Sequence, residues 1–446
     1  MAKISIIMPL YNAAKYLPEA LQSVLRQTHR NFEIICINDC STDNTAEILW
    51  EFQRKDARIR ILANRERMGA GPSRNKGLKA AEGKYVIFLD GDDLFAEELL
   101  EKAEAVMERH RADVVLFEAL HVQSEAIYIK KVVKRSESFI RRYCLTAFAA
   151  NDLEAEEFQN ISNSPCDKMF LRSFLEENRL EFQNLPSSND VYFVKMALFC
   201  AKRMIWSDDR RVMVYVRDHE TPSRISNDRD PMCAYCAMEK LAAELNERNM
   251  FGRFAELYYY IWVTYMLYLL KKEKNEERKR RFYRFLKEEG VSRCIYLGKE
   301  HYNAADSYCR AVMERILNSS CECDEAGIQE TYFQYYLRKN GQAVLTFLKD
   351  ELKKGRKIVL WGTGVNGRSL LAYLEEHAVR ITAAADADAK KQGTVVNGYT
   401  ISSPEDICQT ADVIVTTSKQ ILWEIKDRTA HLKIEQVNLP ALLREK

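Results

Sequence analysis

Three aspartates in four positions, Asp90-Gly-Asp-Asp93, follow directly on the apolar run Tyr85-Val-Ile-Phe-Leu89. Like charges this close repel one another, and a proton or a cation relieves the repulsion. Carboxylate oxygens suit Mg2+ or Mn2+, ions that keep waters and complete their shell with substrate phosphates. A metal held there would stabilise the charge that builds on a departing diphosphate. The same four residues also read as a plain turn, because Asp and Gly are common turn formers. Two more aspartates stand in comparable places: Asp39 after the run Glu33–Ile37, and Asp190 ahead of a helical pattern. Asp190 has the chemistry of a general base toward a hydroxyl, and equally the position of a helix N-cap.

The elements that must bring these groups together are legible in the periodicity. Ile4–Met8, Glu33–Ile37, Ile59–Leu62, Tyr85–Leu89 and Val114–Phe117 are short apolar or β-branched runs. Helical stretches separate them, such as Leu17, Leu21, Val24 and Leu25 at helical spacing. Strands alternating with helices predict βαβ units and a mostly parallel sheet, with ligands beyond the carboxyl ends of the strands. Pro9-Leu-Tyr-Asn12, Asn38-Asp-Cys-Ser-Thr-Asp43 and Asp90–Asp93 all follow such ends, so they converge on one pocket.

Four segments in this order, Ile4–Asn12, Asn38–Asp43, Arg74-Asn-Lys-Gly77 and Phe88–Asp93, resemble the family 2 glycosyltransferases of the GT-A fold. The resemblance covers residues 1–225 and implies an inverting transfer of a sugar from a nucleotide-diphosphate sugar, commonly UDP-linked, to a hydroxyl acceptor. It implies that Pro9, Tyr11, Asn12, Asp39, Arg74, Asp90 and Gly91 form the nucleotide-sugar site. Asp90 and Asp92 would be the DXD-type pair that holds Mn2+ or Mg2+. Asp190, in Asn189-Asp190 where the family usually has Glu-Asp, would be the base. Cys166-Asp-Lys-Met-Phe170 looks like the family's acceptor-side segment. Val216-Arg-Asp-His-Glu-Thr-Pro-Ser223 looks like its Tyr-Arg-x-His-x-x-Ser stretch, which would bring Arg217 to the diphosphate and His219 to the metal. The chain departs from the pattern at Val216, by one extra residue before Ser223, and at Cys40, where the family commonly has Gly.

A second candidate site lies near the C-terminus. Gly362-Thr-Gly-Val-Asn-Gly367 follows the strand-like Lys357–Trp361 and opens a helical pattern, with Asp386 19 residues beyond Gly367. That is the setting of a dinucleotide fingerprint, with Gly362, Gly364 and Gly367 near a pyrophosphate and Asp386 at a ribose. Against it, half of a full dinucleotide fold is missing and no Tyr-x-x-x-Lys pair follows. The domain resembles small Rossmann-like modules appended to polysaccharide-biosynthesis proteins, whose ligand the fold does not define. The competing function is an NAD-dependent oxidoreductase, or a nucleotide-sugar-binding protein, acting through this domain.

The remaining bounds are broad. A chain of 446 residues calls for more than one core, and the periodicity divides it at 1–225, a helical 226–350 and a Rossmann-like 351–446. The fold class expected is α/β throughout, apart from that helical middle. A formal charge of +2 lacks the basic footprint of a nucleic-acid binder. Twelve scattered cysteines suit a reducing, cytoplasmic setting, and Cys233/Cys236 at i, i+3 read as core residues rather than zinc ligands. Phe254–Leu270 reads as a buried aromatic helix. The alternative is peripheral membrane contact, with Lys271, Lys272 and Arg278–Arg281 on head groups. A glycan or lipid-linked glycan acceptor fits either setting.

Overall fold

The computed structural model describes residues 3–123, 126–131, 137–209, 212–218, 230–320, 323–404, 406, 410–417 and 435–438. Two compact units form: Met1–Asn275 with Ser292–Ala304, and Glu276–Val291 with Ala305–Lys446.

In the first unit the predicted runs become strands β1 (Ile4–Leu10), β2 (Phe32–Asn38), β3 (Ile59–Ala63), β4 (Tyr85–Phe88), β5 (Leu94–Phe95) and β6 (Val114–Leu116). The intervening helices are α1 (Leu17–Leu25), α2 (Thr45–Lys55), α3 (Ala70–Ala80) and α4 (Leu99–His110). Strands β7 (Glu118–Gln123) and β8 (Ala126–Lys131), helix α5 (Glu137–Tyr143), β9 (Ala147–Phe148) and α6 (Ala155–Gln159) follow. Then come β10 (Lys168–Leu171), α7 (Arg172–Glu177), α8 (Asn189–Cys200), β11 (Met204–Trp206) and β12 (Met213–Asp218).

The main sheet runs β3-β2-β1-β4-β10-β6-β11-β9. Strands β1 to β4 pair in parallel, and β10 enters antiparallel between β4 and β6. β1 is buried on both faces, which is why its sequence is a nearly unbroken apolar run rather than an alternation. A side chain at Gly77 of α3 would run into Ile7 and Ile37, so glycine lets that helix lie directly on β1 and β2. Pro9 is tolerated because its missing N–H falls on the β4 side, past the last β1–β4 pair at Ile7 and Phe88. A second sheet, β5-β12-β7-β8, was not foreseen from the irregular sequence after residue 117.

Helices α9 (Pro231–Glu247) and α10 (Phe251–Lys272) complete the described core of this unit, with most of α12 (Val291–Leu297). The Asp230 carboxylate caps α9 at the Met232 amide. In α10, Tyr258, Tyr259 and Trp262 are buried, as a core aromatic helix requires. Tyr268 is its exposed aromatic exception. No helix among the described residues is long and apolar enough to cross a membrane.

The second unit holds α11 (Glu276–Phe285), α13 (Ser307–Asn318) and the long α14 (Glu325–Lys353). Its sheet, β15-β16-β14-β13-β17-β18, consists of β13 (Ile358–Trp361), β14 (Ala383–Ala385), β15 (Val395–Val396), β16 (Tyr399–Ser402), β17 (Val413–Thr416) and β18 (Glu435–Asn438). Helix α15 (Val365–Glu376) follows the glycine turn. A core of Leu345, Leu348, Leu360, Leu371 and Val413 joins α14 and α15 to this sheet. The helix expected at the extreme C-terminus lies outside the described residues.

Candidate functional site

The loops after β1 and β2 are tied to each other by side chains. The Asn12 amide oxygen accepts from the Thr42 backbone N–H at 2.8 Å, and the Asn12 N–H donates to Ser41 Oγ at 3.0 Å. The Asp43 carboxylate accepts from Ala14 N–H and from Thr45. Asn12 and Cys40 both sit in the left-handed region, at φ 50° and 58°. Glycine is the residue that region favours, which accounts physically for the glycine usual at position 40.

Asp39 is 3% exposed, and its carboxylate is heavily used within the chain. Oδ1 accepts from Asn64 Nδ2 at 2.7 Å and from Met68 N–H at 2.8 Å, and Oδ2 accepts from Gly69 N–H at 2.7 Å. Asp39 thereby anchors the loop 64–69, whose tip lays the Arg67 guanidinium 3.9 Å over the Tyr11 ring. A carboxylate has about four lone-pair positions, so one on Oδ2 remains for a ligand.

Helix α3 is the hub of the site. Arg74, 6% exposed, donates from Nη2 to Asp90 Oδ1 at 2.7 Å and from Nη1 to Asn189 Oδ1 at 3.1 Å. It therefore joins the acidic turn after β4 to the residue preceding Asp190, although the two lie about a hundred positions apart. Burial works against the Arg74 charge, but the carboxylates of Asp90 and Asp190 outweigh it and hold the guanidinium pKa above its usual value. The neighbouring Asn75 exchanges two 2.8 Å hydrogen bonds with the backbone of Phe182. Gly71 lies so close to the Gln183 carbonyl that any side chain there would collide with it.

An aromatic cluster fixes the other side. Phe88 of β4 packs edge-on against Phe182 and Phe193, at 5.1 and 5.8 Å, and those two rings stack at 3.9 Å. Phe88 comes two residues before Asp90, and Phe193 three after Asp190. The packing of these rings sets the spacing between the acidic turn and the α8 terminus. Gly91 is required between them for want of room, since a side chain would meet Leu10 at 2.5 Å.

The turn offers carboxylate oxygens to a divalent ion. Among the described residues, the group of three with ligand atoms within 4.8 Å of one another is Asp90, Asp93 and Cys166. This differs from the expected grouping of Asp90, Asp92 and His219. Asp92 is part-exposed on the same turn, and His219 and the Arg217 side chain lie outside the described residues. Burial, and the nearby charges of Asp90 and Asp93, push the Cys166 thiol well above its ordinary pKa, so it keeps its proton. The fit to Mn2+ or Mg2+ thus rests on the carboxylate oxygens, the ligand type those ions take.

Two contributors were missed from sequence, the Phe88 cluster and the buried Lys195 of α8. The Cys166–Phe170 segment, singled out for its resemblance, is placed by the antiparallel β10, which brings Cys166 beside Asp90. Lys168 binds the Ser162 and Ser164 carbonyls at 2.9 and 2.7 Å, and Lys195 of α8 binds those of Phe158 and Ile161. Together they hold the segment that leads to Cys166. Lysine inside an otherwise apolar helix, as in Val194-Lys-Met196, was the available signal.

In the second unit, Gly362 has φ 99°, and Gly367 comes so close to the Gly362 carbonyl that a side chain has no room. Asp386 does reach this turn, but its carboxylate is occupied there. Oδ2 accepts from Thr363 N–H and Oγ1, both at 2.8 Å, and from Lys391 at 3.0 Å, while Oδ1 accepts from Asp388 N–H. Oδ2 is thereby filled, and the position left for a ribose hydroxyl is on Oδ1. Gly364 faces open space.

Comparison with known proteins agrees with this geometry. Residues 5–177 match the family model described as glycosyl transferase family 2, and residues 354–438 match one described as C2185-like, N-terminal. The glycosyltransferase GlyG of Streptococcus pneumoniae is 39% identical over 113 residues, 25% of this chain and 38% of that protein. The putative teichuronic acid biosynthesis glycosyltransferase TuaG of Bacillus subtilis is 45% identical over 107 residues, 24% and 42% of the two chains. The poly(ribitol-phosphate) β-N-acetylglucosaminyltransferase TarS of Staphylococcus aureus is 26% identical over 326 residues, 71% of this chain and 51% of that one. The chain spans 38% to 51% of the length of these relatives. The crystal structure of TarS residues 1–349 with UDP-GlcNAc superposes with a TM-score of 0.59 at 24% identity, over 75% of this chain and 91% of that one, which shows a shared fold. Residues 5–177 belong to the family 2 glycosyltransferases, and the sheet that carries them is a GT-A fold.

Proposed function

We propose that the chain is an inverting glycosyltransferase that moves a sugar from a nucleotide-diphosphate sugar to a hydroxyl of a glycan or lipid-linked glycan in polysaccharide biosynthesis. The activity resides in residues 1–225. The observation that carries this reading is the Arg74 bridge, which ties the acidic turn of Asp90 to the α8 terminus of Asp190. The relatives support a surface polymer as product, and TarS makes UDP-GlcNAc the first donor to test.

In the proposed reaction, Asp190 takes the acceptor hydroxyl's proton as that oxygen bonds to the anomeric carbon. The anomeric carbon–oxygen bond to the diphosphate breaks on the opposite face, so configuration inverts. Tyr11, Arg67 and Asp39 border the nucleotide, Asp90 and Gly91 the ribose side, and Arg74 balances the carboxylates around it. Asp90 and Asp92, with His219, would hold Mn2+ or Mg2+, which when bound neutralises charge on the diphosphate. The ten described cysteines are all free, in keeping with a cytoplasmic site of action, where nucleotide sugars would be drawn. Peripheral membrane association would rely on the basic run after α10, because the helix's apolar residues are largely buried.

The test is nucleotide release from a panel of UDP- and GDP-sugars with Mn2+ or Mg2+, with and without glycan acceptors. EDTA and Asp92→Ala should each abolish turnover. Asp190→Asn should keep donor affinity while transfer falls by about 10²–10⁴-fold, the usual worth of a general base. Transfer by Asp190→Asn at the parent rate would overturn the assignment.

A further inference from the structure

In the second unit, helix α15 gives up a cap that nothing around it forbids. Its N-cap residue is Gly364, at φ −65°, with no side-chain cap bond. Ser, Asp or Asn there would accept from the amides of the first turn. Gly362 is explained by its φ of 99°, and Gly367 by its contact with the Gly362 carbonyl. Neither reason applies to Gly364. Its φ suits any residue, and a side chain would meet nothing within 4 Å. The glycine keeps the space before the helix open, and the first amides, which the helix cannot bond itself, attract an anion into it.

The sheet places this terminus where a ligand is expected. β13 pairs in parallel with β14 on one side and with β17 on the other. The chain passes from β13 through α15 to β14 and later crosses back to β17, so the winding reverses at β13. In open parallel sheets the crevice beyond the carboxyl ends at such a reversal takes the ligand. The last β13–β17 pair is Trp361 with Thr416, which leaves Thr417 beside Gly362 at that edge. Thr417 is 6% exposed, and its hydroxyl has no partner among the described residues. The Oδ1 of Asn366, in the first turn of α15, is buried without a partner as well. Buried polar groups are nearly always satisfied, so these two point to a ligand at the same edge.

The engaged groups select its class. Thr363 donates both its N–H and its hydroxyl to Asp386 Oδ2, and Lys391 donates to the same oxygen. Asp386 Oδ1 takes the Asp388 N–H and keeps a lone pair for a hydroxyl. Thr363 therefore holds a hydroxyl acceptor one residue from an anion-attracting terminus, and Lys391 offsets the carboxylate's charge toward that anion. Asp386 and Lys391 are committed to each other, which suits holding a ligand rather than transforming it. We infer that the carboxyl edge of β13, β14 and β17 binds the ribose 5′-diphosphate part of a nucleotide, with a ribose hydroxyl on Asp386 Oδ1 and the diphosphate at Gly364 and the α15 terminus. A nucleoside diphosphate, a sugar nucleotide and NAD+ share that part.

The experiment is calorimetry on the full chain in EDTA, with UDP, ADP, UDP-GlcNAc and NAD+ as titrants, so that the panel separates the three sources. At least one should bind the parent at a site that Gly364→Asp weakens by about tenfold or more, because the new carboxylate caps the amides and repels the diphosphate. The Tm of Gly364→Asp should rise or stay within about 2 °C of the parent, since Asp is as good an N-cap as glycine. Gly364→Ser fills the same space without charge and replaces the Asp variant if that one melts early. The 2′,3′-dideoxy form of the ligand so identified should bind about tenfold more weakly, the worth of one hydrogen bond to a carboxylate. A parent that binds none of the four overturns the site. The same number of sites and the same affinities in the parent and the folded Gly364 variant overturn it too. Full affinity for the dideoxy form overturns the placing of ribose on Asp386.

Discussion

Replacing Asp39 by Asn separates two roles that one carboxylate could play. The change keeps the shape but turns one oxygen into an NH2 group. If the amide nitrogen takes the place of Oδ2, Gly69 N–H loses its acceptor. If it takes the place of Oδ1, both Asn64 Nδ2 and Met68 N–H lose theirs. At least one buried donor is orphaned, at about 1–3 kcal/mol, and the surviving bonds lose their charge assistance. The expected loss is about 2–4 kcal/mol, or roughly 5–10 °C in Tm. Urea unfolding at pH 7 measures it, and calorimetry with UDP measures the accompanying loss of binding as the loop that carries Arg67 shifts. A variant that unfolds within about 0.5 kcal/mol of the parent yet loses UDP affinity would refute this reasoning. It would show that the carboxylate serves the base of the nucleotide rather than the loop.

Gly71→Ala should push the Gln183 segment away from α3 and cut transfer by about 10²-fold, with a stability loss of about 1–3 kcal/mol, both readable from one purified variant. Buried Glu33 is pushed upward in pKa by burial, but hydrogen bonds from Ser5, the Glu82 amide and Arg60 outweigh this and leave it lowered. Its contribution is therefore complete above about pH 5 and is lost as the pH falls through its folded pKa. Glu33→Gln should lower stability at pH 7 by about 1–3 kcal/mol and flatten the acid limb of a Tm–pH profile. Asp386 behaves with the same sign, since bonds from the Asp388 amide and Thr363 outweigh its burial. Asp386→Asn should thus unfold the second unit earlier at neutral pH, and the gap from the parent should close on acidification. Lys195→Met should expose the Phe158 and Ile161 carbonyls to an unmet demand and cost about 2 kcal/mol, read by the same melts.

Much of this protein was legible before any coordinates. The runs at Ile4, Glu33, Tyr85 and Val114 are strands because largely apolar stretches between helices can be buried on both faces only in a covered, mostly parallel sheet. The segments Ile4–Asn12, Asn38–Asp43, Arg74–Gly77 and Phe88–Asp93 carried the family, and the family model matches residues 5–177. Cys40 stood out in the sequence only as a departure from the family's glycine, and the structure shows the left-handed backbone behind it. What one-dimensional spacing could not tell is how each side chain spends its hydrogen bonds. Asp39, Asn12 and Asp386 read as ligand contacts from their place at strand ends, and tertiary packing also gives each a partner in a loop or turn that sequence leaves unconstrained. Conversely, nothing in the sequence paired Cys166 with Asp90, and the antiparallel β10 brings them together beside the stacked rings of Phe182 and Phe193. Periodicity records which faces must be buried. Which polar groups find partners inside depends on chain segments a hundred residues apart, and that is decided by three-dimensional packing alone.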